Sequence, residues 1–371
     1  MEKHLHIVCL DVPYPVNYGG VYDLFYKIKY LSEQNIKIHL HCFRYGRKKQ
    51  QVLNKYCYEV NYYPRKSFLQ SFSFTIPYIV SSRRNTALAV SLLQDKYPIL
   101  LEGIHCTYTL YKQLLQNRKI LVRLHNIEHK YYLRLCSAEK NILKKIYFNI
   151  ESVLLKSYEK KICKKASFYA VSLTDCLEYK KLGATDVHYL PVFTSSNTIS
   201  SSPGNSGFCL YHGKLSVSEN IKAVEWLMEI IKDTTIPLVI AGQDPHKDLI
   251  SEARENGNIC IIANPTCNEM EDLIRKAHVN ILPSFNDTGV KIKLIESLFM
   301  GKHCVTNAGS ISDDSLNELC HTAGSTSEMR ELIQKLITTP FSDTDISKRK
   351  QVLEEIYDNE KNALQLIQAI W

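Results

Sequence analysis

Short apolar runs alternate with amphipathic stretches along the chain, and this alternation predicts a parallel α/β protein. Ten runs have the length and residue content of buried strands. They are LHIVCLD (5–11), IKIHLHCF, PILLEGI, KILVRLHN and FYAVS in the first half, and FCLYHG, PLVIAG, NICIIA, VNILPS and HCVTN in the second. Apolar residues at helical spacing occupy the intervals, most clearly over residues 139–165.

The alternation stops once, in a stretch rich in Ser, Asn and Pro that has no apolar period, and then restarts. We therefore predict an N-terminal Rossmann-like domain over residues 1–192, a linker over 193–206 and a C-terminal Rossmann-like domain over 207–344. Residues 345–371 have the pattern of one more helix, which we expect to pack back on the N-terminal domain. Two such domains facing a central cleft are the simplest architecture, with ligands bound where strands end.

Composition narrows the class of protein. Hydrophobic residues make up 45% and charged residues 23% of the chain, values that are ordinary for globular domains. No apolar run approaches the ~20 residues that span a bilayer. The twelve cysteines include no C-x-x-C pair, and many lie in apolar strands, which favours a reducing compartment. We expect a cytoplasmic protein.

The net charge of +8 is distributed unevenly. Residues 1–192 hold 30 Lys/Arg and 14 Asp/Glu, a net +16, whereas the remainder holds 16 and 24, a net −8. A basic half indicates an anionic partner. Nucleic acid, an anionic membrane and a phosphorylated substrate all fit this charge.

Residues 138–168 combine eight lysines with a long apolar face. Core packing explains the apolar face and solvation explains the charges. Basic amphipathic helices also bind anionic membranes, and the aromatic and basic residues interleaved across 58–84 favour the same hypothesis.

The segment 282–306 has the strongest chemical signal. A strand ends near Pro283, a polar loop follows, and a helix is predicted from Val290 to Met300. Backbone N–H groups at such a junction favour a phosphate. The charged residues outside the apolar stripe are Lys291, Lys293 and Glu296. An exposed ion pair between Lys293 and Glu296 is the alternative interpretation.

The order G-V-K-x-K-x-x-E from Gly289 to Glu296, followed by a G-K-x-x-V turn, resembles the donor site of family 4 (group 1 type) retaining glycosyltransferases, which have the two-domain GT-B fold. The resemblance implies that Glu296 binds the ribose of the donor nucleotide. It also implies that Lys291 or Lys293, with backbone amides such as those of Gly289 and Val290, binds the diphosphate.

The sequence departs from that pattern at one place. Thr288, with Asp287 beside it, stands where the family commonly has a second glutamate in contact with the donor sugar. The resemblance therefore leaves the identity of the sugar open.

Three glycine-containing turns complete the predicted donor site. Because glycine permits close approach of a ligand to the backbone, each turn is a candidate contact, although each is also an ordinary strand-to-helix turn. The candidate residues are Gly19 and Gly20 after the first strand, Gly213 and Lys214 in a turn that resembles the family's G-[RK]-L motif, and Gly242 at the end of the next strand.

Polar residues follow two predicted strands of the first half. They are Glu102 and His105 after one strand, and His125, Asn126 and Glu128 after the other. The H-N-x-E-H run resembles a segment near the cleft in one branch of the family. A histidine near carboxylates can act as a base, whereas capping or packing is the alternative role. We assign His125 to the cleft and the others to the acceptor side.

The resemblance implies transfer of a sugar from a nucleoside-diphosphate-sugar to an acceptor hydroxyl with retention, and we predict Lys214, Lys293 and His125 as the catalytic residues. It implies no metal and no other cofactor. The D-x-D pattern Asp343-Thr344-Asp345 precedes the final helix and is predicted to cap it.

The implied partners are a lipid-linked or oligosaccharide acceptor used in cell-surface polysaccharide or lipopolysaccharide synthesis, and an anionic membrane surface; nucleic acid is not expected. A sugar-nucleotide epimerase of the same fold, or a non-catalytic nucleotide-sugar-binding protein, remains an alternative.

Overall fold

The computed structural model describes residues 2–285, 289–307, 310–311 and 313–371. The chain divides into two compact units. The first contains residues 1–195, 288–290 and 357–371, and the second contains residues 196–287 and 291–356. The boundary at residue 195 lies inside the predicted linker.

The first unit contains one seven-stranded sheet in the order β3-β2-β1-β4-β5-β6-β7, parallel throughout. Its strands are β1 (His4–Cys9), β2 (Lys37–Arg44), β3 (Glu59–Pro64), β4 (Ile99–Glu102), β5 (Ile120–Leu124), β6 (Ser167–Ala170) and β7 (Val187–Tyr189). Its first eight helices are α1 (Gly19–Glu33), α2 (Phe68–Ser71), α3 (Tyr78–Ser81), α4 (Thr86–Leu93), α5 (Tyr108–Tyr111), α6 (Glu128–Ala138), α7 (Ile142–Ile162) and α8 (Leu173–Leu182). Short 3-10 turns cover Gln51–Lys55 and Ile104–Cys106.

The second unit contains a six-stranded parallel sheet in the order β10-β9-β8-β11-β12-β13. Its strands are β8 (Cys209–Lys214), β9 (Leu238–Gln243), β10 (Ile259–Ala263), β11 (Val279–Ile281), β12 (His303–Asn307) and β13 (His321–Ala323). Its helices are α9 (Ser218–Ile231), α10 (Lys247–Arg254), α11 (Cys267–Lys276), α12 (Ile292–Met300), α13 (Thr326–Leu336) and α14 (Asp343–Ile356), with a 3-10 turn over Asp314–Leu319.

The two sheets confirm the predicted fold class of two Rossmann-like domains, and all ten predicted strands are present. Three further strands, β3, β7 and β13, were not predicted. Each lies at an edge of its sheet, and β7 and β13 have only three residues. Edge strands are exposed on one side, so they lack the continuous apolar run by which the central strands are recognised.

The predicted single helix over residues 345–371 is two helices in the structure, α14 and α15 (Asn359–Ile370). Asp358 interrupts the helical pattern because its side chain accepts a hydrogen bond from the Lys361 backbone N–H and caps α15. Only α15 packs in the first unit, where its buried apolar face joins the core beside α1. Helix α14 belongs to the second unit.

The D-x-D pattern was predicted to precede and cap the final helix, but it lies inside the first turn of α14, and the capping side chain is that of Ser342. The Asp345 carboxylate accepts hydrogen bonds from the backbone N–H and the hydroxyl of Ser342, and the Ser342 hydroxyl accepts from the Asp345 N–H at 3.2 Å. This reciprocal pair satisfies N–H groups that a helix start leaves unpaired.

Both sheets reverse strand order once, between β1 and β4 in the first unit and between β8 and β11 in the second. Helices diverge to opposite faces at such a point and leave room for a ligand at the carboxyl ends of the strands. Within the described part of the chain, no helix is long and apolar enough to span a bilayer.

Two hydrogen-bonded histidine pairs lie on one face of β1 and β2. His6 Nδ1 is 2.8 Å from His41 Nε2, and His4 Nδ1 is 2.9 Å from His39 Nε2. His6 also contacts Asp95 at 2.9 Å through its other nitrogen. Burial lowers the pKa of His41 to about 3, and the neighbouring charges of His6 and His39 act in the same direction. His41 is therefore neutral in the folded protein near neutral pH.

We predict that His41 makes the first unit sensitive to acid. Its folded pKa of about 3 lies below the ordinary value of 6.5, so the unfolded chain binds the proton first and stability falls as the pH drops below 6.5. Between pH 7 and pH 5 this one group removes about 2 kcal/mol from the free energy of unfolding. Urea unfolding, followed by Trp371 fluorescence in a Trp226→Phe background, measures the loss.

The matched variants are His41→Asn, which removes that part of the pH dependence, and His188→Asn, which replaces an exposed histidine and keeps it. Equal pH dependence in His41→Asn and the parent protein would contradict the prediction.

Candidate functional site

At the carboxyl edge of the second sheet, polar contacts join the strand ends on both sides of the point where the strand order reverses. Ser284, which follows β11, donates from its hydroxyl to Glu219 Oε1 at 2.8 Å, and Glu219 lies on α9 after β8. The backbone N–H of Ser284 donates to Asn307 Oδ1 at 2.7 Å at the end of β12. The ends of three neighbouring strands are therefore held in fixed positions.

A cation lies beside these contacts. Lys293 on α12 donates from Nζ to the Tyr211 hydroxyl at 3.2 Å and to Asn220 Oδ1 at 3.4 Å, and the ammonium lies 4.5 Å from the centre of the Tyr211 ring. Burial lowers the pKa of Lys293 to about 8, against the opposing effect of Glu219. Its hydrogen-bond partners here are neutral, so the positive charge remains available to an anion.

Helix α12 brings its N-terminus to this edge. The helix begins at Ile292, two residues later than predicted, and its first turn contains no acidic residue. Lys291 is the N-cap residue, so two lysines flank the positive end of the helix dipole. Leu294, Ile295, Leu298 and Phe299 form the buried apolar stripe of the helix, whereas Ile292 is only partly buried. Glu296 lies on the same helix and is partly buried.

The predicted turn at Gly213 and Lys214 is packed tightly against the end of β9. A Cβ at Gly242 would overlap the carbonyl oxygen of Gly213, and a Cβ at Gly213 would lie 3.3 Å from the Asn220 amide. Lys214 is exposed, with Nζ 3.7 Å from Asp244 Oδ2. Gly242 is therefore required by backbone packing, independently of any ligand, whereas a Cβ at Gly213 would press only on a side chain.

His212 on β8 contacts α12 through its ring, since Nε2 lies 3.2 Å from the Ser297 hydroxyl. Burial lowers the pKa of His212 to about 3, and the charge of Lys293 lowers it further. The ring is therefore neutral and fixes α12 against the strand. His212, Tyr211 and Asn220 are not among the site residues predicted from the sequence.

Thr288, Asp287 and Asn286 lie outside the described residues. Gly289 groups with the first unit and has a φ of 63°, a conformation that favours glycine. A Cβ at Gly289 would lie 2.7 Å from the His125 carbonyl oxygen and would overlap Asn126 Oδ1. Glycine is therefore required at this predicted donor-site position.

In the first unit, His125 and Glu102 meet at the carboxyl ends of β5 and β4. His125 Nε2 is 3.0 Å from Glu102 Oε2. Lys27 Nζ, from α1, lies 2.9 Å from Glu102 Oε1 and 2.8 Å from Asp23 Oδ2. Burial alone would raise the pKa of Glu102, but Lys27 and His125 outweigh it and lower that pKa. His125 and Glu102, two of the predicted site residues, are therefore part of one charged network.

Arg123 completes this network. Its Nε and one terminal nitrogen donate to the two oxygens of Asp23 at 3.0 and 2.9 Å, and it also donates to the Leu190 and Pro191 carbonyls. Burial acts to raise the pKa of Asp23, but Arg123 and Lys27 hold it below the usual range. Asp23 is therefore ionised at neutral pH.

Asp23, Glu102 and His125 bring ligand atoms within 4.8 Å of one another, a spacing that suits a metal ion. The ammonium of Lys27 lies among them and contacts both carboxylates. Two buried carboxylates with Lys27 and Arg123 are already balanced in charge. A metal would have to displace Lys27, so this donor set fits a cation poorly.

Of the remaining first-unit candidates, Glu128 is buried, His105 and Gly20 are partly buried, and Gly19 is exposed. His105 has a pKa well below its ordinary value, because burial desolvates its ring, which also faces Arg83. Burial and the nearby Glu159 raise the pKa of Glu128 to about 8. Gly19 and Gly20 form the first turn of α1, where a Cβ at Gly20 would lie 2.7 Å from the Tyr18 ring.

Comparison with known proteins is informative for the second unit. Residues 207–339 match the sequence model of a family described as group 1 glycosyl transferases. An uncharacterized 44.6 kDa protein in the cps region of Klebsiella pneumoniae is 27% identical over 314 residues, which cover 79% of this chain and 79% of that protein.

Solved structures of similar fold extend over the whole chain. An α,α-trehalose-phosphate synthase (UDP-forming) from Burkholderia xenovorans, in complex with glucose-6-phosphate, is 10% identical with a TM-score of 0.65 and 100% coverage of both chains. HepE from Anabaena, in complex with UDP and glucose, is 11% identical with a TM-score of 0.66 and 99% coverage of both. At these identities the likeness establishes the fold, that of GT-B glycosyltransferases.

We predict that Gly242→Ala destabilises the second unit by about 1–3 kcal/mol, because the new methyl group forces β8 and β9 apart at Gly213. Trp226 fluorescence during urea unfolding, in a Trp371→Phe background, reports the change. Gly207→Ala is the control, since a Cβ at Gly207 meets no atom within 4 Å. Equal stability of the two variants would refute this account of Gly242.

Proposed function

We propose that this protein is a family 4 retaining glycosyltransferase that moves a sugar from a nucleoside-diphosphate-sugar to an acceptor hydroxyl. The observation that carries the proposal is the partly buried Lys293 beside the N-terminus of α12, within the residues that match group 1 glycosyl transferases. A desolvated cation beside a positive helix end favours an anionic leaving group.

The donor diphosphate binds Lys293 and Lys291 at the start of α12, with Lys214 contributing from the turn after β8. The three cations act where negative charge grows on the departing diphosphate, so their contribution is larger in the transition state than in the ground state. Glu296, one turn along α12, accepts hydrogen bonds from the ribose hydroxyls.

Retention follows from front-face transfer, in which the departing diphosphate accepts the proton of the incoming hydroxyl. The glycosidic bond to the diphosphate breaks as the bond to the acceptor oxygen forms, so no protein nucleophile and no metal ion are required. In the first unit, His125 orients the acceptor hydroxyl, and Glu102 holds the imidazole by the 3.0 Å contact. Asn126 and Glu128 belong to the same acceptor side.

The relatives suggest the first substrates to test. HepE was solved with UDP and glucose, so UDP-glucose is the first donor. The relative in a cps region supports a role in cell-surface polysaccharide synthesis, with a lipid-linked or oligosaccharide acceptor at the cytoplasmic face of the membrane. The excess positive charge of residues 1–192 suits such an anionic surface and a diphosphate-linked acceptor.

Glu296→Ala is expected to raise the Kd for the donor nucleotide roughly tenfold or more, equivalent to about 1.4 kcal/mol, because charge-assisted hydrogen bonds to the ribose are lost. Calorimetric titration with UDP, GDP, dTDP and ADP identifies the base and then measures the change. Glu252→Ala on α10, an exposed glutamate away from the strand ends, serves as the control. Unchanged affinity in Glu296→Ala would remove the ribose role.

From the lowered pKa of Lys293 we also predict a pH dependence of nucleotide binding. Its pKa of about 8 means that the cation is present below pH 8 and is lost above it, so the affinity for the nucleoside diphosphate declines as the pH rises from 7 to 9. Lys293→Arg keeps its charge over this range and is expected to lose the decline. A decline of the same size in both proteins would assign it to another group.

A further inference from the structure

Helix α7 has two apolar faces, and only one is covered. Leu155, Tyr158 and Ile162 are buried in the core of the first unit. Leu143, Ile146, Ile150 and Val153 are exposed, and their spacing of three and four residues places them on one face of the helix. Leu143 is 75% exposed. Packing in the core therefore accounts for one apolar face of α7 and leaves the exposed apolar face without an explanation.

A second exposed apolar segment lies beside α7. Leu69 is 90% exposed and Phe74 is 84% exposed, and Phe68 and Phe72 are exposed as well. The Phe68 ring lies 6.5 Å from that of Tyr147, which places this segment next to α7. Isolated exposed apolar residues are normal, but two neighbouring elements that both present them mark an interaction surface.

We name this surface the apolar rim, and define it as Phe68, Leu69, Phe72 and Phe74 together with Leu143, Ile146, Ile150 and Val153. Basic residues border both of its parts. Lys156, Lys160 and Lys161 are exposed on α7 and flank its exposed apolar face, and among the described residues none of them forms an ion pair. Arg84 donates to the Gln70 carbonyl at 2.8 Å, which places a guanidinium beside the aromatic segment.

We propose that the first unit binds the surface of an anionic lipid bilayer through the apolar rim. Anionic headgroups neutralise the lysines, while the acyl boundary receives the Phe, Leu and Ile side chains, so one partner satisfies both features. The net charge of +16 on residues 1–192 attracts the same surface over a longer range. The inference rests on the membrane role in the proposed function, and names the residues that perform it.

Sedimentation of the full chain with vesicles tests the proposal. Binding is expected to vesicles of phosphatidylcholine mixed with phosphatidylglycerol, and to be at least tenfold weaker with phosphatidylcholine alone. The double variant Leu143→Gln/Ile150→Gln is expected to lose at least tenfold in vesicle affinity. Leu173→Gln/Leu177→Gln is its matched control, because these two leucines are also exposed on a helix of the first unit, α8.

A separate variant tests the contribution of the basic residues to vesicle binding. Lys160→Gln/Lys161→Gln is expected to reduce the preference for anionic vesicles, whereas the adjacent exposed pair in Lys48→Gln/Lys49→Gln leaves it unchanged. Nucleotide affinity is measured in every variant. A variant that binds nucleotide normally but no longer binds vesicles supports the proposed membrane surface. If the wild-type protein binds vesicles but no nucleotide, the proposed transferase function is contradicted and the membrane surface is not.

Two outcomes would overturn the proposal. One is that the wild-type protein does not sediment with anionic vesicles, or that the Leu143/Ile150 variant sediments with them equally well. The other is a dimer, detected by light scattering, that the Leu143/Ile150 variant converts to a monomer without change in vesicle binding. The apolar rim would then be an interface between two copies of this chain.

Discussion

The buried ion pair between Arg123 and Asp23 is the interaction on which the first unit most depends. The buried guanidinium of Arg123 joins Asp23 on α1 to the carbonyls of Leu190 and Pro191, and Asp23 also accepts from the Phe193 backbone N–H at 2.9 Å. Breaking one side of a buried ion pair leaves an uncompensated charge and costs about 3–5 kcal/mol. The positions of Lys27, Glu102 and His125 depend on this pair, so the acceptor side of the proposed site is coupled to the stability of the unit.

The two units use cations differently beside the change of strand order in each sheet. In the first, Lys27 is held between two carboxylates, and its charge is satisfied within the fold. In the second, Lys293 is held by a phenol and an amide, which orient the ammonium without neutralising it. A ligand anion therefore gains more from the second unit, which agrees with the proposed division into acceptor-side and donor-side domains.

The sequence predicts whether a segment is buried, but not which polar groups meet inside. Apolar runs and turn residues were sufficient for the central strands and for the helix that begins at Ile292. Tyr211 and His212 were missed because they lie in a predicted strand, where polarity is not a signal of a site, and Asn220 was missed because a polar residue is ordinary in the first turn of a helix. Asp23 and Arg123 are 100 residues apart in the chain, and no local sequence pattern predicts that they pair. The break at Asp358 was missed because apolar spacing continues across it.

The resemblance supplied what periodicity could not, since it drew attention to Gly242, Gly289 and Lys293 before any contact was known. The structure gives physical reasons for these residues. Two of the glycines are required by close backbone contacts, and the lysine is desolvated beside a tyrosine ring. The role of Glu296 depends on the resemblance alone and stays a prediction.

Helix α15 has a consequence for the order in which the protein is made. Its Ala363, Leu366 and Ile370 share a core with residues of β1, α1 and β2, which are separated from it by the entire second unit in the sequence. During synthesis from the N-terminus, the first unit therefore remains without part of its interior until α15 has been made. The second unit, whose residues are all translated before α15, is able to finish folding earlier, so the domain translated first is the one that matures last.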